Sequence, residues 1–325
     1  MPRKIAVLIV ILSLCAIIFA IYDNQMRSIE QHISQLNSSG DKILYVPRID
    51  HSFYDKTTPD ESIDEKSSPN KLGEVIPSEF LDDGITSKAY LVGNIRTGEI
   101  YISHNGRMAL PIASMSKLLT AYVGIEILSP TTTIEITKEN TEVYPDQSNL
   151  QEGEKFTFDE ILYPLLLNSS NVAAEAIATN YGRTDFLELM SGYSWEIGLP
   201  TSYFSDPSGL SPQNRSSAKG FFELAKYIYE TRRELFTITR TVEREVSTTT
   251  EHGYHKFTNI HPFANDKRFL GGKTGRTPEA GDTMLTILKI DNEPIAFIVL
   301  GGAYDKRKSD TDMLIEKFNT LIPTL

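Results

Sequence analysis

The sequence predicts an α+β domain built on an antiparallel sheet flanked by helices, on three observations. Two strand patterns joined by a turn open the globular region, two long apolar runs joined by a polar turn close it, and apolar helical patterns fill the chain between. Strands at both ends with helices inserted between them require a sheet assembled from distant segments.

The elements follow in order. Lys88 to Asn94 reads as a strand, Arg96-Thr97-Gly98-Glu99 as a turn and Ile100 to His104 as the returning strand. Ser114 to Leu128 is apolar nearly all round, so it is predicted as a helix in the centre of its domain. Asp159 to Leu167 and Asn171 to Thr179 read as two helices broken at Asn168-Ser169-Ser170. Thr283 to Ile290 and Ile295 to Leu300 form a hairpin around Asp291-Asn292-Glu293-Pro294, and a last helix runs from about Thr311 to Leu321.

Upstream the chain divides into three further segments. Residues 1–4 carry Arg3 and Lys4, and residues 5–22 form an uncharged apolar run near the lower limit for a spanning helix. The flanking cations favour a cytoplasmic N-terminus with everything after Tyr22 outside. A retained transmembrane anchor and a cleaved signal peptide are both compatible with this run; its length and the lack of an Ala-x-Ala site favour the anchor. Residues 23–84, rich in Ser, Asp, Glu, Asn and Pro, read as an extracytoplasmic stem with an end-to-end distance on the order of 45 Å. Residues 85–325 form the globular domain, so the chain is expected at the cell membrane as a single-pass protein with that domain on the outer side.

A net charge of −11 and the lack of any basic stripe exclude a nucleic-acid partner. The single cysteine, Cys15, rules out a disulfide framework and thiolate zinc sites. His252-Gly253-Tyr254-His255 has no carboxylate or cysteine partner placed by spacing, so no metal is expected and both histidines read as surface residues. Trp195 is expected in the core or along a groove.

Three short motifs carry chemistry. Ser-x-x-Lys occurs as Ser39/Lys42, Ser68/Lys71, Ser114/Lys117 and Ser216/Lys219, and only Ser114/Lys117 opens a buried apolar helix. One turn of helix puts hydroxyl and amine on the same face. Burial lowers a lysine pKa, which an amine needs to act as a base for its neighbouring serine. At Ser216/Lys219, Ser216 or Ser217 reads instead as a helix cap. Ser-x-Asn occurs at Ser68/Asn70, Ser103/Asn105 and Ser169/Asn171, and only the third falls at a break between apolar helices. There Ser169 suits a proton relay, although Ser169 or Ser170 could equally cap the following helix. Lys273-Thr274-Gly275 is unique in the chain, lies after Gly271-Gly272 and before Arg276, and on an edge strand would clamp a carboxylate.

In this order the motifs, with Thr97-Gly98-Glu99, Leu110 to Ala121, Leu166 to Ala173, Asp206-Pro207-Ser208-Gly209-Leu210 and Glu279-Ala280-Gly281, make residues 88–318 resemble the penicillin-binding proteins and serine β-lactamases. Within that group the chain is most similar to the D-alanyl-D-alanine carboxypeptidases. The resemblance implies a β-lactamase/transpeptidase-like fold with an all-helical subregion, and no cofactor. It also implies Ser114 as acylated nucleophile, Lys117 as its base and Ser169 as proton shuttle. Asn171 would orient Lys117 and the substrate amide, while Lys273, Thr274 and Gly275 would hold a peptide ending in D-Ala-D-Ala. Backbone N–H groups of Ser114 and Arg276 would form the oxyanion hole. The substrate would be a peptidoglycan stem peptide, and β-lactams covalent inhibitors. Members often carry a second β-rich domain and a C-terminal anchor, which the N-terminal run is expected to replace. No Glu-x-x-Leu-Asn stands between Asn171 and Lys273, so a β-lactam is expected to be trapped rather than hydrolysed. An endopeptidase with the same site and a β-lactam sensor or wall-binding module are the alternatives.

Overall fold

The computed structural model describes residues 84–199 and 201–322. The expected anchor and nearly all of the stem lie outside these residues. Among the described residues no helix is long and apolar enough to cross a membrane.

The first half of the domain comprises β1 (Ala89–Asn94), β2 (Ile100–His104), β3 (Leu110–Pro111), a 3-10 turn (Ala113–Ser116), α1 (Lys117–Ile127), β4 (Thr133–Glu135), α2 (Lys138–Thr141), β5 (Lys155–Thr157), α3 (Phe158–Leu166) and α4 (Asn171–Tyr181). The second comprises α5 (Arg183–Glu196), β6 (Arg215–Ser216), α6 (Ala218–Thr231), α7 (Glu234–Arg240), β7 (Glu243–Val246), β8 (His255–Thr258), β9 (Phe269–Thr277), β10 (Gly281–Ile290), β11 (Glu293–Gly302) and α8 (Arg307–Leu321).

Five strands form the main sheet in the order β2-β1-β11-β10-β9, every pair antiparallel. The first hairpin of the domain thus docks on the last, with Ala89 opposite Leu300 and Asn94 opposite Ile295. Alternate residues of the central strands face two different cores. Leu91, Leu285, Ile287, Ala296 and Ile298 join the larger one, with Leu118 of α1, Phe221 of α6 and Leu235 of α7. Tyr90, Val92, Met284, Phe297 and Val299 pack beneath Leu314, Ile315 and Phe318 of α8. Burial on both faces explains why these strands read as continuous apolar runs.

Two boundaries differ from expectation. The helix expected from Ser114 begins as a 3-10 turn and becomes α-helical at Lys117. The last helix starts at Arg307, because its polar first turn hides Asp310, which accepts from the Ser87 hydroxyl (2.6 Å) and the Thr86 hydroxyl (2.9 Å). Apolar periodicity cannot reveal a turn anchored by a buried carboxylate. Two side-chain expectations fail as well. Trp195, at the end of α5, is 54% exposed. His252 and His255 are buried, because both rings pack on Phe156 and His255 Nε2 lies 2.8 Å from Glu154 Oε1. Among the described residues no His, Cys, Asp and Glu cluster could hold a metal ion.

Candidate active site

Ser114 lies in the 3-10 turn just behind a residue in an unusual backbone state: Ala113 has φ +49°. A non-glycine residue there carries strain of order 1–3 kcal/mol and persists only where its surroundings impose it. Close packing imposes it on both sides. A Cβ on Gly209, itself at φ +85°, would stand 2.0 Å from Ala113 O and 2.9 Å from Ser114 N. A Cβ on Gly275 of β9 would stand 2.9 Å from Ile112 O, and the Thr283 hydroxyl donates to that same carbonyl at 3.0 Å. The turn is therefore wedged between the 206–211 loop and the edge of the sheet.

Lys117, fully buried at the first position of α1, places Nζ 2.9 Å from Ser114 Oγ, 2.6 Å from Asn171 Oδ1 and 2.5 Å from Ser208 O. The Asn171 amide is oriented because its Nδ2 donates to Pro145 O, leaving Oδ1 to face the amine. A neutral amine has two N–H groups and one lone pair. Both N–H groups are claimed by pure acceptors, so the lone pair is left for the Ser114 hydroxyl. Burial lowers the Lys117 pKa from 10.5 to about 7, while the charges of Asp206, Asp146 and Glu175 resist that fall.

The two aspartates are held by backbone and hydroxyl groups rather than by the lysine. Asp206 Oδ1 accepts from Ser208 N and Ser208 Oγ at 2.7 Å each and from Gly209 N at 2.5 Å, while Oδ2 accepts from Ser211 N at 2.7 Å. The folded loop aims Ser208 O at Lys117 and Pro207 O at the Thr120 hydroxyl (2.6 Å). Asp146 Oδ1 accepts from Asn171 N (2.6 Å) and the Ser170 hydroxyl (2.8 Å).

The break between α3 and α4 divides its two serines between two jobs. Ser170 is the cap, accepting from Ala173 N at 3.0 Å. Ser169 is not a cap: it sits at φ +62° with its hydroxyl 2.7 Å from Lys273 Nζ. Likewise Ser217, rather than Ser216, caps α6.

Lys273 is buried on β9, the outer strand of the sheet, as expected, and its Nζ also donates to Thr274 O at 2.9 Å. Burial first, then repulsion from Lys117 and Arg307, pushes its pKa well down. Arg307 was not singled out from sequence; its guanidinium donates to Gly275 O at 3.2 Å and adds a second cation beside Lys273. The side chain of Arg276 is committed elsewhere, paired with buried Asp282 and stacked 4.2 Å over Tyr304, so it can offer the cleft only its main chain. His261 is no rival base. Burial lowers its pKa to about 3, and it is held by Leu285 O (2.9 Å) and Phe263 N (3.2 Å).

Ser114, Lys117, Ser169, Asn171 and Lys273 thus meet at one place, since Lys117 contacts Asn171 and Lys273 contacts Ser169 two residues away. Asp206, Ser208 and Pro145 complete it; the turn-forming Asp-Pro and Ser-Gly pairs at 206–209 were the available signal.

The model of a family described as D-alanyl-D-alanine carboxypeptidase matches residues 77–303. The chain belongs to this family. It is a serine DD-peptidase of the penicillin-binding-protein group. A D-alanyl-D-alanine endopeptidase of Haemophilus influenzae is 30% identical over 241 residues, covering 71% of this chain and 82% of the relative. Its counterpart from Pseudomonas aeruginosa is 28% identical, covering 72% and 76%. The crystal structure of the Streptomyces K15 DD-transpeptidase superposes with a TM-score of 0.67 at 22% identity, covering 71% of this chain and 96% of that one. This last likeness places the family member in the transpeptidase-like α+β fold.

Proposed function

We propose that the domain cleaves the bond after the first D-alanine of peptidoglycan stem peptides ending in D-Ala-D-Ala, through an acyl-enzyme on Ser114. Neutral Lys117 takes the hydroxyl proton as Ser114 Oγ attacks the carbonyl carbon. Backbone N–H groups of Ser114 and Arg276 stabilise the oxyanion. As the C–N bond breaks, the leaving amine takes a proton relayed through Ser169, and water then hydrolyses the ester. Lys273, Thr274 and Arg307 bind the carboxylate of the leaving residue, whose charge restores the ammonium of Lys273 against the pull of burial. Gly275 allows the close approach of β9 to the nucleophile's turn, and Asn171 orients Lys117 and the substrate amide. The same reading puts the domain on the wall side of the cell membrane, tethered through residues 5–22, with β-lactams trapped as stable esters on Ser114.

The observation that carries this reading is the triple contact of Lys117, which leaves its lone pair facing Ser114. A second reading, DD-endopeptidase, is favoured by the names of the relatives from Haemophilus influenzae and Pseudomonas aeruginosa. Incubation with a labelled penicillin and with a pentapeptide ending in D-Ala-D-Ala tests both. Labelling abolished in Ser114→Ala together with D-alanine release by the wild type supports the carboxypeptidase. Labelling without release, but with cleavage of cross-linked dimers, supports the endopeptidase. Labelling with neither cleavage overturns the peptidase and leaves a sensor.

A further inference from the structure

Helix α8 begins without a cap of its own. Its N-cap residue, Lys306, makes no side-chain capping hydrogen bond. The first N–H groups of a helix need acceptors from elsewhere. Here β10 supplies them: Asp282 Oδ2 accepts from Lys306 N at 3.0 Å and from Arg307 N at 3.2 Å. An anion at that point also suits the positive end of a 15-residue helix.

Strand alternation explains how one carboxylate reaches the helix. On β10 the Thr283 side chain points at the Ser114 turn and donates to Ile112 O, so its neighbour Asp282 points to the opposite face, toward α8. Asp282 stands opposite Arg276 in the ladder with β9 and, fully buried, holds that guanidinium with both oxygens. Tyr304 covers the same guanidinium from outside, its ring centre 4.2 Å away.

Two arginines are thereby given different tasks. Arg276 takes the carboxylate. Arg307 has its backbone pinned to that carboxylate, yet among the described residues no carboxylate is in ion-pair contact with its guanidinium, and Nη1 rests 3.2 Å from Gly275 O, two residues along β9 from Lys273. A cation left unpaired there is free for a ligand anion, and its place depends on where the first turn of α8 is held. The rest of α8 has separate anchors, in Asp310 on Thr86 and Ser87 and in Leu314, Ile315 and Phe318 within the apolar layer. Loss of Asp282 releases the first turn without undocking the helix.

We infer that Asp282 is a positioning residue: it caps α8 from β10 while Arg276 neutralises its charge, and so sets the Arg307 guanidinium beside Gly275 and Lys273. The strength of the preference of the Ser114 site for ligands bearing a carboxylate follows from that placement. This rests on the acyl-enzyme reading of Ser114 and on Arg307 as a carboxylate contact.

The test uses two ligands that differ by one charge, labelled penicillin and its methyl ester. Purified full-length wild type, Asp282→Ala, Asp282→Asn, Arg307→Gln and the double variant Asp282→Ala/Arg307→Gln are compared. The readout is the ratio of second-order acylation rate constants, free acid over ester. General damage to the fold slows both ligands and leaves this ratio in place, whereas a displaced Arg307 lowers it. The ratio is expected to fall about tenfold in Asp282→Ala and in Arg307→Gln, the size of one charged hydrogen bond, and no further in the double variant. Asp282→Asn has one acceptor oxygen where the aspartate has two, so a fall of at least about threefold is expected, which decides the matter if the alanine variant does not fold. A wild-type ratio near one, a ratio within about twofold of wild type in the Asp282 variants or in Arg307→Gln, or a further fall in the double variant overturns the inference. Wild type acylated by neither ligand overturns the Ser114 reading itself.

Discussion

Acidification is expected to switch off acylation by protonating Lys117, and the position of that switch is set by an aspartate that never touches the lysine. With a Lys117 pKa of about 7, roughly half the amine is neutral at pH 7 and about 1% at pH 5, so acylation should slow about 50-fold over that interval. Burial and the neighbouring cations push the Lys273 pKa down, and any protonation of that amine favours an anionic ligand, so it would oppose this loss rather than imitate it. Asp206 is the first-ranked charge resisting the fall in the Lys117 pKa. Two charges on the order of 6 Å apart at an effective dielectric near 20 attract by roughly 3 kcal/mol, or about two pH units. The N–H and O–H groups on this carboxylate disperse its charge, so Asp206→Asn is expected to move the acid limb by about one unit. The direction follows from the sign: removing an anion disfavours the charged amine, the pKa falls, and the limb moves to lower pH. The variant should therefore lose less activity than wild type between pH 7 and 5.5. The asparagine Nδ2 facing Ser211 N costs about 1–3 kcal/mol of stability, which a thermal melt registers separately. The assay is the second-order rate constant for labelled-penicillin acylation between pH 5 and 8.5. A flat wild-type profile would refute Lys117 as the base, and an acid limb that stays put or rises in Asp206→Asn would refute the electrostatic role of the loop.

Two further outcomes follow from the packing around Ser114. Gly209→Ala puts a methyl group 2.0 Å from Ala113 O in a φ +85° backbone, so the turn must shift; acylation is expected to fall about 100-fold with a lowered melting temperature, and a rate within threefold of wild type would contradict the wedge. The adjacent serines should separate cleanly. Ser170→Ala loses a helix cap worth about 1 kcal/mol and should lower the melting temperature by about 2–4 °C, whereas Ser169→Ala should leave the melting temperature in place and slow peptide turnover, as paired melts and steady-state rates will show.

Local chemistry made much of this legible. The strand pair at 89–104, the closing hairpin and the central helix announce themselves through apolar runs long enough to survive any boundary error. The lysines could be assigned to a cleft because each sits among residues that burial demands. Missing from the sequence was everything set by backbone conformation at a distance. Nothing local marks Ala113 or Ser169 for positive φ, since those angles are imposed by Gly209, Gly275 and a helix junction. Arg307 was overlooked because one arginine at a polar helix start resembles any surface cation until Gly275 O appears beside it. The histidines at 252 and 255 were misplaced because their burial comes from Phe156, about a hundred residues earlier.

The distribution of charge fits the role of base proposed for Lys117. A buried lysine left alone would be neutral but too weak a base to capture a serine proton; one paired directly with a carboxylate would stay protonated and be useless as a base. Here Lys117 is bonded only to neutral acceptors, Asn171 Oδ1 and Ser208 O, and to its serine. The anions stand one group further out: Asp146 behind the Asn171 backbone, Asp206 behind Ser208. Each aspartate orients the neutral group that touches the amine and contributes part of a charge to it. Burial pulls the pKa down, these anions at one remove hold it up, and the balance falls at about 7, where an amine serves both as base and, once protonated, as acid.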